Sequence, residues 1–238
     1  MMDHDHIVKS FDDDLSRLDS IIAEMGGLVE RQLSDVMTAL IKRDVKLAQK
    51  VIDDDKRVDE LETELDQHTI TVLALRQPMA DDLRAVIAVL KMSANLERIG
   101  DYAKNIAKRV LILSNMDPVG DTAQSIGRMT ALVQEMVKNA LDAYGTLDIQ
   151  KADNVRLRDE DVDRMHTSLF RELLTYMMED PHHITASTHL LFISKNVERI
   201  GDHVTSIAEY VHFLVAGELP REERPKCDLS SQTTLEED

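Results

Sequence analysis

The stretch LERIGD, residues 96–101, decides the fold, because VERIGD returns at residues 197–202, after an interval of 101 residues. The similarity extends beyond the two hexamers. Asn95 precedes the first copy, and Asn196 precedes the second. The two phrases therefore belong to two copies of a longer unit and do not reflect a shared local helix preference alone.

A second alignment lies upstream, at an offset of 104 residues. It matches RDVKLAQKVIDDDKRVDEL, from Arg43, with LDIQKADNVRLRDEDVDRM, from Leu147. The aligned aspartates are Asp44 with Asp148, Asp55 with Asp159, and Asp59 with Asp163. The change of offset predicts that the connection between the two motifs is three residues shorter in the second half. We interpret the chain as two copies of one unit of about 100 residues, which are too few repeats for a solenoid.

The composition limits the partners and the compartment. The chain has 238 residues, of which 28 are basic and 45 acidic, so its net charge is −17. This charge argues against nucleic acid and anionic lipid as partners and favours cations or basic protein surfaces. One cysteine excludes a disulfide framework, and neither a secretory signal nor an apolar run of about 20 residues is present. We expect a cytoplasmic protein without direct membrane insertion.

Residue types and spacing predict an all-α fold. The chain has no Trp and only 3% aromatic residues, which disfavours a β-sheet and suits helices. Between residues 45 and 75, apolar residues recur at the seven-residue spacing of a long amphipathic helix. Asp44 and Asp148 stand where helix N-caps are expected, and Pro78 and Pro181 follow the ends of the corresponding helices.

The fold class is predicted as two tandem three-helix bundles, with six long antiparallel helices related by the internal repeat. Helix breaks are expected near residues 43, 78, 117, 147 and 181. The first repeat is placed at residues 10–115 and the second at 119–216. Residues 217–238 lose the apolar periodicity and are predicted to form a disordered acidic tail.

Pairs of carboxylates mark the candidate site in each half. They lie four residues apart, a spacing that places both side chains on one helix face. The pairs are Asp55 with Asp59, Glu97 with Asp101, Asp159 with Asp163, and Glu198 with Asp202. Unpaired carboxylates are costly to bury, so a cation is expected to neutralise them. Ligation by oxygen alone favours hard metals such as Mg, Mn or Fe.

A simpler interpretation of these pairs stays open. Acidic pairs on exposed helix surfaces are common, and the arginines of both ERIGD phrases could form ordinary ion pairs with them. Glu62 and His166 lie on the same faces, and we expect them to be solvated neighbours of the pairs. Gly100 and Gly201 each cost about 1 kcal/mol relative to Ala inside a helix, which a close helix contact would offset.

Several motifs together resemble those of the PhoU family of phosphate-signalling regulators. They are the recurring E-R-I-G-D phrase, the upstream Asp-x-x-x-Asp pairs, MGGLVERQLSD from Met25, RQPMADDLR from Arg76 and LTYMMEDP from Leu174. The resemblance covers the chain from about Phe11 to Gly217. It implies two similar three-helix bundles side by side, with multinuclear iron or zinc clusters held by the eight paired carboxylates named above.

The resemblance also implies partners and a role. Members of the family act with the phosphate-specific ABC transporter, through its ATPase subunit, and with the sensor histidine kinase. They damp phosphate uptake and the phosphate-starvation response, and they commonly form homodimers. We therefore expect a non-catalytic adaptor, located in the cytoplasm or peripherally at the inner membrane through its partners.

A different class of protein is the alternative. A carboxylate-bridged metal-storing or metal-oxidising protein would also use acidic helices. That class places Glu-x-x-His motifs on two helices of a four-helix bundle, and we expect no Glu-x-x-His motif in this chain. Asp163-x-x-His166 is only an approximation to the motif.

Overall fold

Six α-helices and one short 3-10 helix make up the part of the chain that the computed structural model describes, which is the backbone of residues 2–221 and the side chains of residues 11–221. The α-helices are α1 (Met2–Lys42), α2 (Val45–Arg76), α3 (Asp81–Leu113), α4 (Thr122–Thr146), α5 (Ile149–Glu179) and α6 (Ile184–Ala216), and the 3-10 helix is Pro181–His183. Residues 2–221 contain no strand, and the predicted all-α class is confirmed.

The helix starts follow from capping, as the sequence predicted. The Asp44 carboxylate accepts hydrogen bonds of 3.0 Å from the backbone N–H groups of Lys46 and Leu47. Asp148 accepts one of 3.0 Å from the N–H of Lys151. These bonds satisfy backbone donors that have no partner inside the helix. Both N-cap predictions are confirmed, and they fix where α2 and α5 begin.

The two halves pack through α3 and α6. Asn95 Oδ1 lies 2.9 Å from His203 Nδ1, and Arg109 Nη1 lies 3.2 Å from His189 Nδ1. Because the residue number rises on α3 as it falls on α6, the two helices run antiparallel. In the described chain α2 contacts only α1 and α3, and α5 packs only on α4, α6 and the short 3-10 helix. The outer helices α2 and α5 thus hold their acidic residues against the central pair.

Apolar side chains from all six helices fill the interior. Leu33, Leu61, Ile99 and Ile106 are among the fully buried residues. Burial of each such side chain contributes about 1.5–3 kcal/mol relative to its exposure. Within residues 2–221, no helix combines the length and the apolar character needed to cross a membrane.

The second half is shortened at its helix ends and not in its connection. The segments between α2 and α3 and between α5 and α6 both have four residues, 77–80 and 180–183. Relative to the aligned motifs, α5 ends one residue earlier and α6 begins two residues later than their counterparts. The prediction of a shorter connection was therefore wrong, because the missing residues come from helical turns.

The carboxyl-terminal segment is described only as far as residue 221. Gly217 ends α6 in a left-handed conformation (φ 81°), with its N–H bonded to the carbonyl of Phe213. The tail predicted for residues 217–238 lies, beyond residue 221, outside the described residues.

Candidate functional site

Lys104 joins the carboxylates of α2 and α3 in the first repeat. Its Nζ lies 2.6 Å from Asp55 Oδ2 and donates a second hydrogen bond of 2.9 Å to Asp101 Oδ1. The Asp55 side chain is 2% exposed, whereas that of Asp101 is 30% exposed. Two of the four predicted site residues of this repeat are thus brought together by a lysine that was not among the predicted site residues.

Asp55 is placed deep in the helix interface by Gly100. A Cβ atom on Gly100 would lie 3.1 Å from Asp55 Oδ1 and 3.3 Å from Gln32 Oε1. Gln32 belongs to α1 and is 4% exposed. Asp55 Oδ1 and both polar atoms of the Gln32 amide make no hydrogen bond to the described part of the chain. The inner wall of the cluster therefore holds unsatisfied polar atoms, which are costly to bury.

Glu97 and Asp101 form the outer part of the first cluster. Arg98 lies 3.5 Å from Glu97 Oε2 and 3.6 Å from Asp101 Oδ2. Burial and repulsion from Asp101 raise the pKa of the Glu97 carboxyl to about 7. Partial burial alone would raise the pKa of Asp101, but hydrogen bonds with Lys104 and Glu97 and the positive charges of Lys104 and Arg98 together outweigh burial, and the pKa is lowered. The ordinary ion pairs considered from the sequence are present here, yet they leave Glu97 poorly compensated.

The remaining acidic residues of this repeat lie toward solvent. Asp59 is exposed, and Glu62 is half-buried. Burial, repulsion from Asp66 and the nearby charges of Asp59 and Asp101 raise the pKa of Glu62. Burial is also the main cause that raises the pKa of Asp55, with Asp59 adding to it. The predicted carboxylates interact electrostatically, but only Asp55 is enclosed.

The second repeat encloses more of its carboxylates. Asp159, Asp163 and Glu198 are buried, and Asp202 is half-buried. A Cβ on Gly201 would lie 3.1 Å from Asp159 Oδ1, the same contact that Gly100 makes in the first repeat. The Lys195 Nζ lies 3.0 Å from Glu198 Oε2. The internal repeat therefore reproduces the placement of the inner aspartate.

The electrostatics of Glu198 show that the second cluster is also a concentration of negative charge. Burial raises the pKa of the Glu198 carboxyl, the ion pair with Lys195 opposes this, and repulsion from Asp202 and Asp163 adds to the rise. All four sequence-predicted residues of this half thus lie at the α5–α6 interface or next to it.

His166 is buried, contrary to the prediction of a solvated neighbour. It is 3% exposed, and its Nδ1 lies 3.1 Å from the hydroxyl of Ser194 on α6. It falls on the apolar stripe of α5 that includes Val162, Leu169 and Leu173, all buried. That stripe was readable in the sequence, so the burial of His166 could have been predicted from helical spacing.

The residue types of both clusters suit a hard cation, whereas the positions of their side chains in this structure suit it less well. Carboxylates are the ligands that such cations prefer, and unsatisfied oxygens face the interior at Asp55. Yet among the residues whose side chains are described, no three His, Cys, Asp or Glu side chains are grouped as a metal ion requires. In the first repeat Lys104 Nζ already lies between Asp55 and Asp101, two of the carboxylates that would hold a cation.

The expectation that this chain contains no Glu-x-x-His motif was wrong, although the motif does not form a metal-site pair here. Glu209 and His212 form Glu-x-x-His on α6. Glu209 Oε1 lies 3.5 Å from Arg156 Nε, and His212 Nδ1 lies 3.0 Å from the carbonyl of Glu218. These two side chains are therefore engaged elsewhere. Glu179 and His182 repeat the spacing across Pro181, outside a continuous helix.

A groove of about 920 Å³ lies apart from the carboxylates, where α3 begins and α6 ends. Its lining includes the apolar residues Leu141, Leu214 and Val215 and the acidic residues Asp19, Glu30 and Asp142. Burial raises the pKa of Glu30. Exposed apolar surface rimmed by polar residues is typical of protein interaction sites.

Comparison with known proteins gives the same two-part organisation. The PhoU domain family model matches residues 22–110 and again 112–211. A protein of Caulobacter vibrioides (strain NA1000 / CB15N), called "Phosphate-specific transport system accessory protein PhoU homolog", is 51% identical over 228 residues, which are 96% of this chain and 99% of that protein. The protein of the same name from Rhizobium meliloti (strain 1021) is 46% identical and covers 97% of each chain.

Solved structures agree with the fold. The crystal structure of PhoU from Pseudomonas aeruginosa superimposes with a TM-score of 0.84 at 40% identity, covering 87% of this chain and 100% of that chain. The phosphate transport system regulatory protein PhoU from Streptococcus pneumoniae gives 0.82 at 29% identity, with 89% of this chain and 100% of that chain covered. Two matches to the domain model, near-complete coverage of the relatives and the paired helical bundles together establish that this chain belongs to the PhoU family.

Proposed function

We propose that this protein is a cytoplasmic negative regulator of phosphate uptake and of the phosphate-starvation two-component response. It acts without catalytic turnover, as an adaptor between the ATPase subunit of the phosphate ABC transporter and the sensor histidine kinase. It works as a homodimer and reaches the inner membrane only through these partners.

The observation that carries this proposal is the full-length similarity to transport-system accessory proteins. The match of 51% identity extends over 228 residues, which are 96% of this chain, so it spans both repeats and is not limited to one of them. The groove at the junction of the two repeats supports contact with a protein partner, because its lining combines apolar and acidic residues. A net charge of −17 favours basic surfaces on such partners.

Metal binding by the acidic clusters is the second part of the proposal. Asp55, Asp59, Glu97 and Asp101 would hold cations in the first repeat, and Asp159, Asp163, Glu198 and Asp202 in the second. A bound multinuclear cluster, of iron, zinc, manganese or magnesium, would supply positive charge to a surface that is otherwise strongly acidic. The raised pKa values of Glu97 and Glu198 support this part, because each reflects burial of the carboxyl group, with repulsion from neighbouring carboxylates adding to it.

The regulatory role is tested by deleting the gene in the native host and measuring alkaline phosphatase output in high phosphate. We expect constitutive output on deletion and silencing when the gene is restored. Output that stays low after deletion would contradict the role as a negative regulator.

The alternative class is tested separately with purified protein. A metal-oxidising protein consumes oxygen in repeated turnovers when ferrous iron is supplied, whereas the proposed adaptor does not. Catalytic oxygen consumption that is lost when Glu198 and Asp202 are changed to Gln and Asn would favour the alternative.

A further inference from the structure

In each repeat a lysine contacts the carboxylate cluster, but the two lysines do not occupy aligned positions of the repeat. Lys104 of the first repeat aligns with Thr205 of the second, and Lys195 of the second aligns with Ala94 of the first. Thr205 is 1% exposed and donates a hydrogen bond of 2.7 Å to the carbonyl of Asp202. The second repeat thus reproduces the inner aspartate and the glycine but has a threonine at the position that aligns with Lys104.

Lys104 occupies the place where a cation would act in the first cluster. Its ammonium contacts Asp55 on one helix and Asp101 on the other, at 2.6 and 2.9 Å. A hard metal ion bound there would require the same carboxylate oxygens. An ammonium and a metal ion cannot share this position, because both are cations and both need the oxygens at close range.

Lys104 does not satisfy the cluster completely. Asp55 Oδ1 makes no hydrogen bond in the described chain, and neither does the side-chain amide of Gln32. Gln32 is only 4% exposed. Gln32 Oε1 and Asp55 Oδ1 both border the space left by the missing Cβ of Gly100. Buried polar atoms of this kind are usually satisfied by another protein group, an ordered water molecule or an ion. Asp55 Oδ1 and Gln32 Oε1 are therefore oxygens of the first cluster that Lys104 leaves unsatisfied and that a cation replacing the lysine could use.

We propose that Lys104 is a tethered cation of the first carboxylate cluster, so that a metal ion binds there only by displacing Lys104 Nζ from Asp55 and Asp101. The lysine holds the two helices together in the metal-free protein and sets the metal concentration at which the first cluster fills. This inference rests on the metal-binding part of the proposed function and adds the residue that controls it.

The test compares Lys104→Thr with Lys108→Thr. Lys108 is exposed one turn further along α3 and provides a control with the same loss of charge. Both changes are made in the full chain with Glu198→Gln and Asp202→Asn, so that binding is read at the first cluster. Chelator-treated protein is titrated with Mn²⁺, and free Mn²⁺ is followed by electron paramagnetic resonance.

We expect Lys104→Thr to bind Mn²⁺ about tenfold more tightly than its parent, a change equal to about 1.4 kcal/mol. Lys108→Thr should bind as the parent does. Equal affinity of all three would overturn the role of Lys104 while leaving metal binding intact. If none of the three binds Mn²⁺, both the lysine inference and the metal site of this repeat are wrong, and the regulatory role is judged by the phosphatase assay.

Amine labelling supplies a second readout that does not depend on affinity. Acylation of Lys104 in the otherwise unchanged protein should increase at saturating Mn²⁺, because displacement frees Nζ, whereas Lys108 should label equally with and without metal. Unchanged labelling of Lys104 would contradict displacement. If Lys104→Thr does not fold, Lys104→Gln decides the binding comparison, since it retains hydrogen-bond donors without the charge.

Discussion

Gly100 and Asp55 meet across the α2–α3 interface, where a Cβ on the glycine would lie 3.1 Å from Asp55 Oδ1. The separation is the same for Gly201 and Asp159 in the second repeat. A side chain at either glycine would press on a buried carboxylate. The close contact with the aspartate of the neighbouring helix therefore explains why glycine occurs at both positions. Neither glycine has an unusual backbone conformation that would require it.

Gly100→Leu and Gly201→Leu are expected to lower the free energy of unfolding by about 1–3 kcal/mol each, since the leucine cannot enter the contact without moving the helices. Urea unfolding followed by circular dichroism measures the change. The control is Gly27→Ala on α1, where a Cβ would meet no atom within 4 Å. That substitution should raise stability by up to about 1 kcal/mol through helix propensity. Unchanged stability of both leucine variants would show that the glycines do not pack as described.

The helix N-caps give a prediction with a close control. Asp44→Ala and Asp148→Ala remove the acceptors of the bonds to Lys46, Leu47 and Lys151. Each should cost about 0.5–2 kcal/mol of stability, whereas the matching Asn variants keep an acceptor oxygen and should cost little. Thermal unfolding of the four variants checks this. An equal loss of stability in the Ala and Asn variants would show that the charge of the aspartate, and not its capping hydrogen bond, stabilises the helix.

Much of this architecture could be predicted from one sequence because it follows local rules. The repeat, the caps at Asp44 and Asp148 and the prolines after α2 and α5 are each readable within a few residues. The contact of Lys104 with Asp55 is different, because it joins residues 49 positions apart on two helices. Helical spacing alone does not say which side chain of α3 reaches across.

The repeat nevertheless contained a usable signal for the residues that were missed. The two repeats have different residues at the aligned positions where their clusters differ. Lys104 aligns with Thr205, and Gln32 aligns with Met136. Similar positions reveal what both halves need, such as the inner aspartates, whereas dissimilar ones mark what distinguishes them. The burial of His166 follows from its position on the apolar stripe of α5, which outweighs the preference of a polar side chain for solvent.

Glu97 gives a pH dependence whose sign follows from its raised pKa of about 7, against an ordinary value of 4.5. The folded protein holds this proton more tightly than the unfolded chain does. Stability is therefore favoured by protonation and falls as the pH rises from about 4.5 to about 7. Glu97→Gln should remove this loss and be more stable than the wild type at pH 8, by on the order of 1–3 kcal/mol, with a smaller difference at pH 5.

The measurement for Glu97 is urea unfolding at several pH values in the presence of chelator, because a bound cation would mask the repulsion. Glu60→Gln is the control, since Glu60 is exposed on α2 outside the cluster. Its profile should follow that of the wild type. A Glu97→Gln variant that is no more stable than the wild type at pH 8 would show that the carboxylate is compensated in solution.

Metal content tests the first cluster directly. Protein purified without chelator and analysed for metals should lose bound metal when four carboxylates become their amides, because the amides keep the shape but lose the charge that attracts cations. The changed residues are Asp55, Asp59, Glu97 and Asp101. The control changes four exposed acids outside the motif, which are Asp53, Glu60, Asp66 and Asp82.

The two variants alter net charge equally, so a difference in metal content between them reports the site and not the overall field. Removal of metal with a chelator should also lower the unfolding temperature of the wild type, since a ligand that binds only the folded state stabilises it by mass action. The cluster variant should show a smaller decrease, because only the second repeat still contributes. Equal metal content in both variants would exclude the first cluster as a metal site, and an ordinary ion-pair network around Lys104 and Arg98 would then explain its carboxylates.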